Sequence, residues 1–470
     1  MDNWHFPLIA HKAGVRTFDL SSGMNYVSMK DQVVRGTTLV NCLIKCKIFD
    51  TKFSGHNLVV VGAGAAGVAA ACHAAGHGLR VLVLERASGR FPMQKQCTSR
   101  RVSFSMYDWP EAHASSGIFP SLQDLPVKSA NTMFFACEVT EKHPIVARDL
   151  VTAWDKRIEA NPFPLAPIQW EFNAEVIPPR LSHRVLLEDD PSRQHRDLEY
   201  WKAARKHSAR AQIVIFATGI GIERSVPDTR TAGATYQTPP FWSDMDNPPW
   251  ENAKDFSSRN LVISGGGDGA IQDFLKVVLR NKADNLLPLA RKCRLGAKDR
   301  ARIISAERHI ARQLLWDTSA KQAHAALQAV YDEIVETLLR RDGDPLNIAS
   351  HMHICPRIVW ISDSVSDDAK TMSFSKSYPL NRFLATLVLA VLAKSPKVQL
   401  VEGTLNSVDR DAYNTYRCTT GAGTTYLSDF PPLLRHGVER NTGLGKNAGY
   451  FGLRQALAGA PLPFKPSDNP

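Results

Sequence analysis

Two kinds of apolar pattern alternate along the chain. Short continuous runs bounded by glycine or polar residues read as strands buried on both faces, and longer stretches with apolar positions three and four apart read as helices. The runs are "NLVVVG" from 57, "LRVLVLE" from 79, "AQIVIFATG" at 211–219, "LVISGGG" from 261 and "ICPRIVWISDS" at 354–364. Helical patterns fall at about 145–160, across "DRARIISAERHIARQLL" and "AKQAHAALQAVYDEIVETLLRR" between 297 and 341, and at 380–394. "VQLVEGTLNSVDRDAYNTYRCTT" alternates like a β-hairpin, and 161–210 reads as a small antiparallel excursion. Residues 1–55 carry no long periodic pattern and read as an N-terminal extension. Segment 87–135 reads as long loops and 222–258 as a linker, and the Gly- and Pro-rich tail from 441 is expected to be loosely ordered.

Strands alternating with helices predict an α/β fold. Two of the strands run straight into a glycine-rich turn and a helix. In the first, Gly62, Gly64 and Gly67 stand among Ala63, Ala65 and Ala66. That spacing serves a phosphate-binding turn: one glycine where the strand leaves, one where backbone approaches pyrophosphate, one where helix packs on strand. The Ala-rich helix that follows offers N–H groups and its dipole to an anion. The next strand ends in Glu85, followed by Arg86, and a carboxylate at that place accepts hydrogen bonds from ribose hydroxyls. A turn kept only for packing is the alternative reading.

With these motifs the chain resembles the flavoproteins with two dinucleotide-binding domains, a group that includes flavin-containing monooxygenases, N-hydroxylating monooxygenases and thioredoxin-reductase-like enzymes. The resemblance implies two Rossmann-like dinucleotide-binding domains; the helical block at 297–341 would be an insertion that relatives seldom carry. An FAD-binding domain would span 56–221, with 400–470 returning to it, and an NAD(P)-binding domain would span 222–400. It implies that Gly62, Gly64, Gly67 and Glu85 hold the ADP half of FAD. Thr218 and Gly219 in "VIFATG" would end the strand that leads to the second domain, and Arg90 would reach the pyrophosphate. Gly265, Gly266, Gly267, Asp268, Gly269 and Ala270 would form the second cradle, for NADP(H). Hydride moves only between carbons in near contact, so each nucleotide needs its own cradle.

The second turn departs from the first. Gln272 stands where many relatives have Glu, and "NLLPLARKCR" is the candidate for the next strand, ending in Arg291, Lys292 and Arg294. Arg291 there would suit a 2′-phosphate, hence NADPH; a cluster of surface cations is the alternative. The Gly-Asp wording that contacts FAD near the C-terminus of relatives is not evident in "TTYLSDFPPLLRHG".

Composition narrows the rest. A formal charge of +11 and a pI near 9.2 favour anionic ligands. Scattered Lys and Arg without an aromatic-basic module do not suggest nucleic acid. No signal peptide is visible, the run "FLATLVLAVLA" is too short to span a bilayer, and eight irregularly spaced cysteines fit reduced thiols in a cytoplasmic protein. Without Cys-x-x-Cys or Cys-x₄-Cys, a redox disulfide is not expected, and Cys42 and Cys46 read as buried structural thiols. His351, His353 and Cys355 would share one face of a strand, but no second ligand cluster accompanies them, so no metal is expected. Tyr107, Asp108 and Trp109, capped by Pro110, read either as a wall beside a flavin or as a loop anchor. His436 reads either as a polarising group or as a structural histidine. Ile303, Ile304, Ile310, Leu314 and Leu315 recur at helical spacing, so the 297–341 block reads as core, with a substrate lid or a homodimer surface as alternatives. The expected function is an FAD-dependent oxidoreductase that takes hydride from NAD(P)H and passes electrons to oxygen or a small organic acceptor, monooxygenase-like. An FAD oxidase without nicotinamide and a non-catalytic nucleotide-binding protein are the alternatives.

Overall fold

The computed structural model describes residues 12–14, 16–20, 28–50, 52–102, 106, 109–110, 144–160, 167–176, 195–219, 222–227, 236–242, 257–311, 321–366, 371–375, 377–393 and 395–439. The chain divides into two units. The first takes residues up to Cys97, then Ser115–Ile222 and Glu439–Pro470; the second takes Thr98–Ala114 and Glu223–Val438. Tyr107, Asp108, Leu314, Leu315 and the tail from 441 lie outside the described residues.

In the first unit the elements run β1 (Lys12–Gly14), β2 (Thr17–Asp19), α1 (Met29–Lys45), β3 (His56–Val61), α2 (Ala65–Gly76) and β4 (Val81–Glu85). Then follow α3 (Ala147–Glu159), β5 (Ile168–Phe172), β6 (Ala174–Val176), β7 (Arg196–Lys202) and β8 (Arg205–Phe216). The sheet order is β1-β2-β8-β3-β4-β5, parallel from β2 to β5. β5, expected within an antiparallel excursion, is therefore part of the parallel sheet. The antiparallel arm is β6, β7 and the first half of β8, closed by a turn with Ala203 and Ala204 at φ 47° and 59°. β8 thus does two jobs: exposed at Arg205–Ser208, it is buried from Ala211 to Phe216, where it runs beside β3. Leu198, Tyr200 and Ala209 of the arm cover Val59, Val61, Leu82 and Leu84 on one face of the sheet.

The segment before 55, read as an extension, supplies structure instead. β2 joins the sheet beside β8, and α1 packs on α2. The approach of the two helices is set by Gly36: a Cβ there would stand 3.1 Å from the amide nitrogen of Ala70 and 3.2 Å from the carbonyl carbon of Ala66. Alanines in α2 leave the room that this contact needs. His73, also in α2, is 4% exposed and its two ring nitrogens have no hydrogen-bond partner. Burial, then the neighbouring His77, pushes its pKa down to about 3.

The second unit repeats this plan. Its elements are β9 (Asn260–Ser264), α4 (Asp268–Leu279), α5 (Leu286–Lys292), α6 (Ala297–Ala306) and α7 (Lys321–Asp342). β10 (Arg357–Ser362), α8 (Pro379–Leu392), β11 (Val398–Glu402), β12 (Leu405–Arg410), β13 (Tyr416–Thr420), β14 (Thr425–Ser428) and β15 (Leu433–Leu434) complete it. The order β11-β10-β9-β15 is all parallel and mirrors β5-β4-β3-β8. β12–β14 form a three-stranded antiparallel sheet in the place of the arm, with Leu405, Val408, Tyr416 and Cys418 packed on Val262, Val359, Ile361 and Leu434. Two expectations change accordingly. The 398–420 stretch is not one hairpin, because β11 pairs in parallel with β10; and residues from 400 to Val438 complete the second unit rather than returning to the first.

The helical block lies in the crossover between β9 and β10. Its inner face is core: Tyr331, Ile334, Val335 and Leu338 are buried, and Ile303 is fully enclosed. Glu307, at a π-turn after α6, accepts from Tyr331 Oη at 2.6 Å and pairs with the wholly buried Arg382 of α8. Arg382 also donates to the carbonyls of Phe374, Ser375 and Ser377, so its charge is compensated on every side.

Two tests follow from the first unit. Helix propensity alone makes Gly36→Ala stabilising by about 1 kcal/mol; the contact with α2 makes it destabilising by about 1–3 kcal/mol, measurable in urea titrations. His73 is neutral when folded and free to protonate when unfolded. The unfolded chain therefore binds more protons as pH falls below about 6.5, and stability falls by about 1.4 kcal/mol per pH unit until the folded pKa is reached. His73→Leu should flatten the stability profile between pH 6.5 and 4; an unchanged slope would remove His73 as its source.

Candidate functional site

Each glycine turn is built by contacts that the sequence positions dictate. In the first, Gly62 has φ +107°, and a Cβ there would stand 2.8 Å from the carbonyl carbon of Ala217 and 3.2 Å from the Cα of Thr218. No side chain fits between the turn and the end of β8. Gly67 faces the carbonyl of Gly62 at a distance that no Cβ could keep, so it sets the spacing of α2 against β3. Gly64 differs. It caps α2 in an extended conformation (φ −74°, ψ −176°), which any residue adopts, and a Cβ there would meet nothing within 4 Å. Packing explains Gly62 and Gly67; it does not explain Gly64, whose missing side chain only leaves the helix N-terminus open.

Glu85 closes the turn from the side. Its Oε2 accepts from the Ala63 amide at 2.6 Å and its Oε1 from the Ala87 amide at 2.7 Å. The carboxylate is therefore held at the lip of the turn by backbone donors, with lone pairs remaining for a ligand hydroxyl. Ala65 and Ala66 begin α2 and are buried, Arg86 is exposed, and Thr218 and Gly219 (φ +90°) lie exposed beyond β8. Arg90 is placed otherwise than expected. Its Nε donates to Asp155 at 2.6 Å, an Nη to Glu159 at 3.0 Å, and its guanidinium lies over the Trp170 ring. This side chain ties α3 to β5 and is not offered to a pyrophosphate.

The second turn repeats the backbone contacts of the first. Gly265 has φ +124° and would drive a Cβ to 2.7 Å from the carbonyl carbon of Arg435; Gly267 caps α4 at φ −95°, ψ −177° and faces open space. The amide of Gly62 donates to Leu84 O at 2.8 Å, and that of Gly265 to Ile361 O at 2.9 Å. The amide of Ala217 donates to Val61 O, and that of Arg435 to Ser264 O, both at 2.7 Å. Ala270 is buried in the place of Gly67, and a Cβ on Gly269 would make only ordinary contacts with Arg435 and Phe241. Hence "LLRHG" is the second unit's counterpart of "IFATG", a correspondence that the chain's wording conceals.

This register relocates the second acid position. The strand after the second turn is β10, and Ser362 stands where Glu85 stands: a Cβ on Gly266 would lie 2.7 Å from Ser362 Oγ and 2.9 Å from Ser364 Oγ. Most of "NLLPLARKCR" is the helix α5, so Arg291, Lys292 and Arg294 do not end the strand that follows the turn. Asp268, at the start of α4, accepts from the Tyr378 amide at 3.0 Å and from Asn381 Nδ2 at 2.7 Å, which ties α4 to α8.

Below the second turn lies a charged cluster that has no counterpart among the described residues of the first. Asp273 of α4 accepts from Arg435 at 2.8 Å and pairs with Arg100 at 2.6 Å; Arg435 also approaches Glu223 at 3.4 Å. Burial works to raise the Asp273 carboxyl, but Arg100 and Arg435 outweigh it and hold it below the usual range; burial raises that of Glu223. Both guanidinium groups lie over the Phe241 ring. His436 shares its Nε2 with Ser264 Oγ at 2.7 Å, a link between β15 and β9. Trp109 stacks on Phe383 of α8 at 5.0 Å and is 8% exposed, so it anchors a loop within the second unit. His353 and Cys355 do not share a strand face, because 349–354 is a 3₁₀ turn. Among the described residues no group of three potential metal ligands assembles. Burial and the neighbouring Cys46 push Cys42 up to about 12, and burial does the same for Cys293 and Cys418.

The family model of the NAD(P)-binding Rossmann-like domain matches residues 60–94, the first turn and its acid-bearing strand. No curated protein matches the chain in sequence. Among solved structures the chain is similar to the thioredoxin reductase of Lactococcus lactis (10% identity, 81% of this chain and 77% of that one, TM-score 0.32). It is likewise similar to the ornithine N-hydroxylase of Kutzneria sp. 744 (14%, 81% and 80%, 0.34) and the bacillithiol disulfide reductase of Bacillus cereus (11%, 86% and 97%, 0.34). No helix of the described residues is long and apolar enough to cross a membrane.

The buried cluster yields a test. Asp273→Asn removes one negative charge from between two enclosed guanidinium groups, and an uncompensated buried charge costs about 3–5 kcal/mol. The expected outcome is a large loss of stability by thermal melting, and a loss below 1 kcal/mol would mean that Arg100 and Arg435 find other partners.

Proposed function

We propose that the chain is an FAD-dependent oxidoreductase that takes hydride from a nicotinamide dinucleotide. The first turn would hold the ADP half of FAD: Gly64 gives the pyrophosphate backbone access, the first amides of α2 bind it, and Glu85 accepts from the ribose. The second turn, with Gly265, Gly267 and Ala270, would seat the nicotinamide nucleotide in the same manner. The observation that carries this reading is the open space over Gly64 and Gly267, two helix caps whose missing side chains serve no packing purpose. Bound flavin supplies a ring that accepts hydride and passes electrons on.

The acceptor is inferred from the thiols. Of the described cysteines, Cys42, Cys293 and Cys418 are buried with their pKa pushed far from the thiolate range, and no Cys-x-x-Cys occurs in the chain. A disulfide relay is poorly served by such groups, so electrons would pass directly to oxygen or to a small organic acceptor, as in a monooxygenase. No disulfide joins the described cysteines, in keeping with a cytoplasmic setting.

Gly64→Val tests the cofactor assignment without disturbing the fold. Its Cβ meets no protein atom and its φ suits valine, so circular dichroism should be unchanged while the flavin absorbance of the purified protein disappears. A Gly64→Val protein that stays yellow with full FAD occupancy would falsify the assignment.

A further inference from the structure

We propose that Phe172, braced by Trp170, is the platform on which the nucleobase of the dinucleotide at the first turn stacks. The inference rests on the reading of that turn as a nucleotide cradle, and it assigns the residue that receives the base.

The sheet order β3-β4-β5 lays out a nucleotide in steps. The phosphates fall at the turn after β3, and the ribose falls at Glu85, which ends β4. The next strand, β5, lies about 4.8 Å further out, within reach of a base joined to that ribose. Its last residue is Phe172, in register with Glu85. Paired residues of neighbouring strands share a face of the sheet. The ring therefore stands on the face from which the Glu85 carboxylate reaches the Ala63 amide.

Ala87 ties the two strand ends together. Its amide donates to Glu85 Oε1 at 2.7 Å, and its carbonyl accepts from the Asn173 amide at 3.0 Å. Trp170, two residues earlier on the same face, steadies the ring: the two centroids are 6.2 Å apart and the planes 14° from parallel. The Arg90 guanidinium, held by Asp155 and Glu159, lies 5.0 Å over the Trp170 ring. Both aromatic side chains are half-buried, so neither is sealed into the core. Sheet packing does not demand rings at these places. In the same register the second unit has Leu400 and Glu402, the latter exposed. Stacking on an aromatic ring uses the π-face that every base has, and it needs no hydrogen-bonding edge. The first lip thus favours a nucleotide with its base over a base-free sugar phosphate.

The experiment uses the full-length protein freed of nucleotide, titrated calorimetrically with ADP and with ribose 5-diphosphate, which lacks the base. ADP should bind the tighter of the two. Phe172→Leu keeps an apolar side chain on the strand and removes the ring. It should weaken ADP about tenfold and leave ribose 5-diphosphate unchanged, and Phe172→Tyr should bind ADP as the unaltered protein does. An ADP affinity untouched by Phe172→Leu, or equal losses for both ligands, overturns the inference while the cradle stands. Failure of both ligands to bind the unaltered protein, or binding that survives Gly64→Val, overturns the cradle reading and the inference with it.

Discussion

Both units depend on one constraint: a turn backbone pressed against the end of a returning strand, with no room for a Cβ. At Gly62 the partner is Ala217, and at Gly265 it is Arg435. The contact brings together the carboxyl ends of adjacent parallel strands, where a switch in strand order leaves a crevice. It also aims the following helix, since the turn leaves only one path into α2 or α4. Positive φ at the first glycine and close approach at the same residue are two expressions of that single demand.

Around this constraint the two units vary in charge rather than in backbone. Ala65 becomes Asp268, Glu85 becomes Ser362, Ala217 becomes Arg435 and Thr218 becomes His436. The first unit keeps a neutral, Ala-rich interior under its turn and one carboxylate at the lip. The second places a compensated ion cluster beneath the turn and links its strands through Ser264 and His436. The Arg435 guanidinium is held there by the Asp273 carboxylate, the Pro239 carbonyl and the Phe241 ring.

What the sequence revealed follows from where its signals were local. The first turn, its helix and its acid lie within about 30 residues, the span of one βαβ unit, and both glycine caps sit where spacing put them. Helix α8 was legible from a long apolar stretch. Helix α1 was not: Gly36, Thr37, Thr38 and Asn41 interrupt its apolar positions, yet all are buried, and Gly36 lies against α2, where no side chain fits. The strand after the second turn was missed because α5, α6 and α7 intervene, and an apolar start to "NLLPLARKCR" resembled the strand expected there. Arg90 carried the charge suited to a pyrophosphate, but its partners Asp155 and Glu159 stand a whole loop away in the chain. β11 read as half of a hairpin because alternation cannot distinguish an exposed parallel edge from an antiparallel pair.

The inserted helices also weigh on how each sheet comes together. From the end of β3 to the start of β4 the chain runs about 20 residues, but from β9 to β10 it runs about 90. Closing the longer excursion carries an extra entropic cost of about 1.4 kcal/mol on a flexible-loop basis, before any helix contact offsets it. The buried Glu307–Arg382 pair fastens the turn after α6 to α8, the helix that follows β10, and so ties the excursion to the chain beyond it. The insertion thus divides the labour of assembly: pairing in the first sheet is nearly local, whereas in the second the helices must gather before the strands beside the turn can meet.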